Sequence, residues 1–464
     1  MSTIIEQVLS SSRGTALIID DVRWSGDDLL GAAGELTAAI SRSLGEAQML
    51  TVATSNAALI VTALTAAEYL QVPLQLVDPA ATLGSSASVE DVLIGESLSC
   101  GTDEAVAINA QLRCHVQHRE SARRHSLRGP SLPRDGILFQ TSGSTAAPRA
   151  VVKRISAVIR DGARIANHLH GAESPHVVCA APAFHSYGFT HGVLAGLLTG
   201  SVTAFCPSST LPQALAKLAA RTNADTIIGL PIHVHMIAAA KSLDFAGLKQ
   251  MVSSGSPLRA DAVARIHRDH EFRVLNAYGA SEAGTISIAT LLEGSAPSSI
   301  GEPLSEVEVR LDPQDGELLV RNDSFAVGYL TDGELRSLPT VDGWYRSGDM
   351  VERDTNGLRI TGRLGDVINI AGRKTRRSRL EAVLSLHPDI LEVQVITATD
   401  EFRGEYPVAR LVLKPGHARP DILDWSRDKL DAFEVPRQIQ WMDRLPRTAT
   451  GKLIYAPTAD DVEG

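Results

Sequence analysis

The feature that most constrains this chain is an alternation of two periodicities. Over the first 300 residues, short apolar runs of strand length take turns with longer segments whose apolar residues recur every three or four positions. Leu29–Leu44, Ala57–Leu70, Leu211–Arg221 and Asp261–His267 have helical spacing, and Leu50–Ala53, Leu74–Val77, Val177–Ala181 and Thr226–Ile228 read as strands. Repeated strand–helix units predict an α/β fold, a largely parallel sheet with helices on its faces. From about Ser305 the pattern changes to short strands with turns: Glu306–Leu311, Glu317–Val320 and Leu358–Thr361. Beyond residue 363, Val393–Thr397 and Arg410–Leu413 belong to about 100 residues with strand and helix patterns of their own, read as a separate small α+β domain.

Length and composition agree with that division. The 464 residues exceed one core, and 44% hydrophobic with 21% charged residues is a globular profile. A net charge of −10 argues against nucleic acid and anionic membranes as partners. No apolar stretch reaches the roughly 18 residues of a membrane span. Glu6 stands where a signal peptide would carry a basic residue. Cys100, Cys114, Cys179 and Cys206 show neither CxxC nor metal spacing, so reduced thiols and a cytoplasmic location are expected. The basic run His115, His118, Arg119, Arg123, Arg124, His125 and Arg128 has no aromatic interleaving and reads as a solvated face or loop.

Chemistry enters after the strand-like Gly136–Gln140. Thr141-Ser142-Gly143-Ser144-Thr145-Ala146-Ala147-Pro148-Arg149 is a hydroxyl- and glycine-rich loop with a basic residue at its end, a pattern that surrounds an anion with N–H and O–H donors. It is not a Walker A loop, because GxxxxGK[ST] is absent. The loop resembles the TSGSTGxPK signature of the adenylate-forming enzymes, the superfamily of acyl-CoA synthetases, peptide-synthetase adenylation domains and firefly luciferase. Further resemblances follow in order. Asn276-Ala277-Tyr278-Gly279-Ala280-Ser281-Glu282 is similar to NxYGxTE, and Gly343–Asp349 to GWYxTGD. Gly362–Asp366 is similar to GRxDD, and Leu445–Lys452 to LPRTxxGK.

The resemblance implies a large multi-subdomain N-terminal α/β domain over 1–362 and a small mobile α+β domain over 363–464, hinged near Gly365. It implies joining of a carboxylic acid to the α-phosphate of ATP with loss of pyrophosphate, then transfer of the acyl group to a thiol. Two anions must meet in the first step, which requires positive charge and alignment. Lys452 would bridge the acid and the α-phosphate. Glu282 is the expected Mg²⁺ ligand. Asp349 would accept from the ribose diol, with Arg363 beside it. Thr141, Ser142, Gly143, Ser144, Thr145 and Arg149 would cradle phosphates. Ser254, Gly255, Ser256, Asn276, Ala277, Tyr278, Gly279 and Ser281 would surround the nucleotide, with Tyr278 against adenine. Pro182–Gly188 resembles the PlxHxxG segment of acyl-CoA synthetases, so His185 is placed beside the acyl pocket and thiol tunnel. His185 cannot pair with a substrate ammonium as the Asp of amino-acid-activating relatives does, which disfavours α-amino acids. Phe184, Gly229 and Gly279 are expected at the acyl pocket, and Gly372 at the coenzyme A tunnel.

Departures fall on the ATP and hinge side. Ala146 stands for the usual Gly, Arg149 for Lys and Gly365 for the hinge Asp or Lys, while Asn369 and Arg377-Ser378-Arg379-Leu380-Glu381 replace a Lys and the PxEIE segment. Three readings stay open: a coenzyme A ligase that forms its own acyl-adenylate, a thioester-former fed acyl-adenylate by a separate adenylating enzyme, and a ligase loading a carrier-protein phosphopantetheine. A non-catalytic nucleotide binder is the weakest alternative.

Overall fold

The apolar runs pair into two sheets rather than one. The computed structural model describes residues 3–12, 14–41, 49–80, 91–95, 104–108, 112–119, 132–141, 149–171, 174–240, 243–370, 373–400, 404–447, 453 and 455. The chain divides into two compact units. The first comprises Met1–Ser142, Pro148–Val309 and Val320–Tyr345, and the second Gly143–Ala147, Arg310–Leu319 and Arg346–Gly464.

In the first unit an eight-stranded sheet runs Gly284–Leu291, Arg273–Ala280, Gln250–Ser254, Thr226–Gly229, His176–Cys179, Val202–Phe205, Thr15–Ile19, Val22–Ser25. Its interior pairs are parallel and its two edge pairs antiparallel. The central strands are apolar on both faces: Val177, Val178, Ile227, Ile228, Met251 and Val252 are all buried, as a sheet covered by helices on both sides requires. Pro212–Thr222 and Pro231–Ala239 begin with proline at the first turn, where the missing N–H costs nothing.

A nine-stranded sheet, also in the first unit, runs Glu334–Ser337, Gly328–Thr331, Arg149–Arg154, Gly136–Thr141, Leu74–Val77, Met49–Ala53, Asp91–Gly95, Arg113–Arg119, Glu104–Ala107. Leu74–Val77, Met49–Ala53, Asp91–Gly95 and Gly136–Thr141 form its parallel centre. The helix Ala57–Leu70 is buried along almost all its length. Asn56 caps it, its Oδ1 accepting from the N–H groups of Ala58 (3.0 Å) and Leu59 (3.2 Å).

The second unit holds, from Arg346 on, the antiparallel hairpin of the strands Trp344–Asp354 and Gly357–Arg363, in which Asp349 lies opposite Arg363. It also holds a five-stranded sheet. Arg373–Arg376, Val367–Ile370, Gly404–Leu413 and Ile390–Asp400 lie in that order, and Gln438–Trp441 pairs with Gly404–Leu413. Ile368, Leu380, Leu384, Val395, Ala409 and Leu411 form its core.

One expectation is corrected here. The strand predicted over Val177–Ala181 is His176–Cys179, because Ala180 and Ala181 lead into Pro182, which has no N–H to continue the ladder. Of the basic run, His115, His118 and Arg119 lie in the strand Arg113–Arg119, and Arg123, Arg124, His125 and Arg128 lie outside the described residues. Cys114, Cys179 and Cys206 are free thiols. No helix among the described residues is long and apolar enough to cross a membrane.

Candidate active site

Thr141 and Arg149 pair across neighbouring strands and so close the phosphate-type loop at its base. Ser142, Gly143, Ser144 and Thr145, with Ala146, lie outside the described residues. Strand alternation puts Arg149, Val151 and Lys153 on one face. Tyr329 lies opposite Val151 in the adjacent strand and shares that face, its ring centroid 6.0 Å from the Arg149 guanidinium. The Tyr329 hydroxyl donates to Glu282 Oε1 at 3.0 Å, and Ala326 N–H donates to the Glu282 carbonyl at 2.7 Å. Burial and the Glu282 carboxylate both push the Tyr329 phenol well above its ordinary value. Glu282, in the turn after one sheet's strand, is thus gripped at side chain by a strand of the other sheet and at backbone by Ala326.

The turn carrying Glu282 joins Arg273–Ala280 to Gly284–Leu291. A register shift falls between Tyr278 and Gly279, a bulge that re-aims the chain as it enters the turn. A Cβ on Gly279 would lie 2.4 Å from the Gly284 carbonyl oxygen, so only glycine fits. Gly284 has φ +78°, and a Cβ there would meet the Asp161 carboxyl carbon at 2.8 Å. Ser281 Oγ lies 3.0 Å from Ser186 Oγ, tying the turn to the His185 segment. Tyr278 is half-buried at the end of its strand rather than in the core. Asn276 is buried and donates through Nδ2 to Ser299 O at 2.8 Å, beside the buried Ala277. Ser254, opposite Ala277, leads into Gly255 (φ +105°) and Ser256 at the end of the parallel strands.

Beneath the turn lies a charge cluster that the sequence reading missed. Lys153, Asp161 and Arg164 are 2%, 2% and 3% exposed, which no isolated charge tolerates. Thr285 N–H donates to Asp161 Oδ1 at 3.0 Å, and Arg164 pairs with Asp323 at 2.7 Å and approaches Asp161 at 3.8 Å. Asp161 and Glu282 both attract the Lys153 ammonium. Burial pushes Lys153 down and Asp161 up from their ordinary values, and their mutual attraction opposes both shifts.

The His185 segment leaves the strand His176–Cys179 and runs into a wide helical turn, Gly188–Leu194, with i→i+5 character. The His185 ring lies 4.7 Å from that of the buried Phe184. Tyr187 donates its hydroxyl to Gly229 O (3.1 Å) and Val252 O (3.0 Å) and pins the segment to two parallel strands. The space a side chain on Gly229 would take is filled by Met251 Cε (2.8 Å) and His233 Nδ1 (3.4 Å). Tyr187 also lies 4.5 Å from the His191 ring, and burial pushes His191 down to about 3, so it stays neutral.

In the second unit, buried Asp349 pairs through Oδ1 with Arg363 Nε at 2.6 Å while the Arg363 side chain stays 71% exposed. Ser347 Oγ accepts from the Asp349 N–H at 3.0 Å, and Glu317 from the Gly348 N–H at 2.8 Å. Gly365 lies in the short 3₁₀ segment Leu364–Asp366, where a Cβ would meet nothing within 4 Å. This pose therefore does not demand glycine. Gly372 and Lys452 lie outside the described residues.

Chemically, the first unit presents one firmly held carboxylate beside an arginine at the base of a hydroxyl-rich loop. No group of three or more His, Cys, Asp or Glu at metal spacing occurs among the described residues. One carboxylate suits a small hard cation that arrives with its own phosphate oxygens and waters, rather than one caged by protein.

The family model for AMP-binding enzymes matches residues 32–330, and that for the AMP-binding enzyme C-terminal domain matches 379–452. The chain belongs to the AMP-binding enzyme family. A curated relative in the family is the 3-[(3aS,4S,7aS)-7a-methyl-1,5-dioxo-octahydro-1H-inden-4-yl]propanoyl:CoA ligase of Mycobacterium tuberculosis (strain ATCC 25618 / H37Rv). It is 30% identical over 68% of this chain and 64% of its own length. The probable CoA ligase CCL9 of Humulus lupulus is 28% identical over 69% of this chain and 65% of its own length. The match thus spans just under two thirds of these relatives. Among solved structures, o-succinylbenzoate CoA synthetase from Bacillus subtilis in complex with the acyl-adenylate intermediate OSB-AMP superposes with a TM-score of 0.77. That likeness covers 99% of this chain and 97% of that one at 19% identity, which establishes the α/β fold of the family with its smaller C-terminal part.

Proposed function

We propose that this chain is an acid–thiol ligase that activates a carboxylic acid as its acyl-adenylate and passes the acyl group to coenzyme A. The observation that carries the reading is the Glu282 carboxylate, gripped by Tyr329 and Ala326 beside Arg149 at the base of the phosphate-type loop. Kinship with the AMP-binding enzymes and the CoA-ligase names of the relatives support it.

In the first step a carboxylate oxygen of the acid attacks the α-phosphorus of ATP, the O–P bond to pyrophosphate breaks, and pyrophosphate leaves. Arg149 and the loop Thr141–Thr145 hold phosphate oxygens, and Lys452 offsets the repulsion between the two anions. Glu282 would hold a Mg²⁺ ion, which would supply further charge neutralisation. Asp349 accepts from the ribose diol with Arg363 at its side, and Tyr278 lies along the adenine. In the second step the coenzyme A sulfur bonds to the acyl carbon and the acyl–O bond breaks, releasing AMP. His185 and Gly372 line the thiol's path, and Phe184, Gly229 and Gly279 border the acyl group. A hinge at Gly365 separates 1–362 from 363–464 and lets the C-terminal part present Lys452 for one step and Gly372 for the other.

The test is incubation with ATP, Mg²⁺, coenzyme A and a carboxylic-acid panel, read by mass spectrometry. The reading expects AMP, pyrophosphate and one acyl-CoA, with acyl-adenylate accumulating when coenzyme A is withheld. Acyl-CoA formed only from supplied acyl-adenylate would replace it with the thioester-only reading, and no product in either arm would overturn both.

A further inference from the structure

The second unit contains a linkage that none of these roles uses. Arg377, at the start of the helix Arg377–Leu384, pairs with Asp366 at 2.8 Å and donates to the Gly365 carbonyl at 3.0 Å. The same guanidinium lies 4.7 Å from the centre of the Tyr455 ring, within cation–π range. The Tyr455 hydroxyl donates to Glu381 Oε2 at 3.4 Å, and Val395 N–H holds Oε1 at 2.8 Å. One arginine therefore touches both the 3₁₀ segment Leu364–Asp366 and the C-terminal stretch three residues beyond Lys452. A second contact holds the same end of the chain: Arg447 and Leu453 form an antiparallel bridge, and Arg447 pairs with Glu392 in the strand Ile390–Asp400.

We infer that Arg377, Glu381 and Tyr455 are positioning residues, a latch that ties the stretch carrying Lys452 to the hinge segment Leu364–Asp366. The inference rests on the ligase reading above for the roles of Lys452 and Gly365, while the linkage stands on its own contacts. The latch is mostly buried but not sealed: the Arg377 and Asp366 side chains are 17% and 14% exposed, so water reaches the ion pair. Glu381 faces Asp366, Arg377 and Tyr455, and burial pushes its carboxyl up to about 7. The latch thus includes a group that changes charge near neutrality.

The experiment uses the full chain as wild type, Tyr455→Ala and Tyr455→Phe, with two readouts. In hydrogen–deuterium exchange, Tyr455→Ala is expected to speed exchange about tenfold across residues 364–370, while Ile390–Asp400 and Gly404–Leu413 exchange as before. In half-reaction assays, Tyr455→Ala is expected to lower ATP–pyrophosphate exchange about tenfold and to leave thioester formation from supplied acyl-adenylate within about twofold. Tyr455→Phe keeps the ring over Arg377 and should recover most of both readouts. Unchanged exchange at 364–370, or a uniform rise through the whole unit, would overturn the latch, as would equal loss of both half-reactions. A wild type inactive in both half-reactions would sink the ligase reading, and the exchange data would still decide the latch.

Discussion

Each unit of the molecule contains a cluster of charges, and the two are built in opposite ways. In the first, Lys153, Asp161 and Arg164 are almost wholly removed from water beneath the turn that carries Glu282. In the second, Arg377, Asp366, Glu381 and Tyr455 are mostly buried between the hinge segment and Tyr455's stretch, with 17% and 14% of the Arg377 and Asp366 side chains left to solvent. A dry cluster cannot open without exposing an unpaired charge to an apolar interior, so it fixes one geometry. A pair that water still reaches can take water in place of a partner at less cost than a dry one. The difference matches the work proposed for each: Glu282 must stay where it is through both half-reactions, and the hinge must move between them.

The sharpest way to break the contrast is Lys153→Met. It leaves Asp161 and Glu282 without their shared cation and should cost about 3–5 kcal/mol in urea unfolding, as loss of one partner of a buried pair does. A cost below about 1 kcal/mol would mean that the first cluster is no more rigid than the second. Gly284→Ala tests the same cluster from above. Its φ of +78° and the Asp161 carboxyl 2.8 Å from the new Cβ predict a loss of about 2–3 kcal/mol, read as a lowered unfolding midpoint.

Tyr329→Phe leaves the fold alone and removes one hydrogen bond to the Glu282 carboxylate. Adenylation should fall about tenfold, with a raised Mg²⁺ requirement, while thioester formation from acyl-adenylate is unaffected. Equal loss in both assays would separate Tyr329 from the phosphate chemistry. The smallest effect on stability concerns pH. Glu381 has its folded value raised from 4.5 to about 7, so its contribution is full below 4.5 and is lost as pH rises through 7. Glu381→Gln keeps the acceptor for Val395 and removes the titration. The wild type should lose about 2 kcal/mol between pH 5 and 8 that the variant retains, measured by urea midpoints.

Much of this architecture is legible in the sequence, for reasons visible in individual elements. Ala57–Leu70 is predicted to the residue because Asn56 caps its start and its apolar content stops at Gln71, which turns left-handed with φ 56°. The strand–helix alternation gives the α/β class, but not that the strands sort into two sheets, because pairing partners lie far apart in the chain. Asn276–Glu282 is recognisable by its motif. Its grip by Tyr329 is not, since the two residues are 47 apart and meet only when Tyr329 pairs beside Val151. Lys153 reads as an unremarkable strand residue, and nothing local says that its ammonium is buried. Arg377 stands out only as a departure from a motif and Glu381 as that motif's last Glu, while their partner Tyr455 carries no signal at all.

Lys452 is proposed to serve adenylation and not thioester transfer. Single-turnover assays of wild type and Lys452→Ala, with the two half-reactions run separately, test it directly. The account predicts a fall of at least about 100-fold in acyl-adenylate formation, with transfer from supplied acyl-adenylate to coenzyme A within about threefold of wild type. Adenylation at wild-type rates in the variant, or equal loss of both steps, would contradict it.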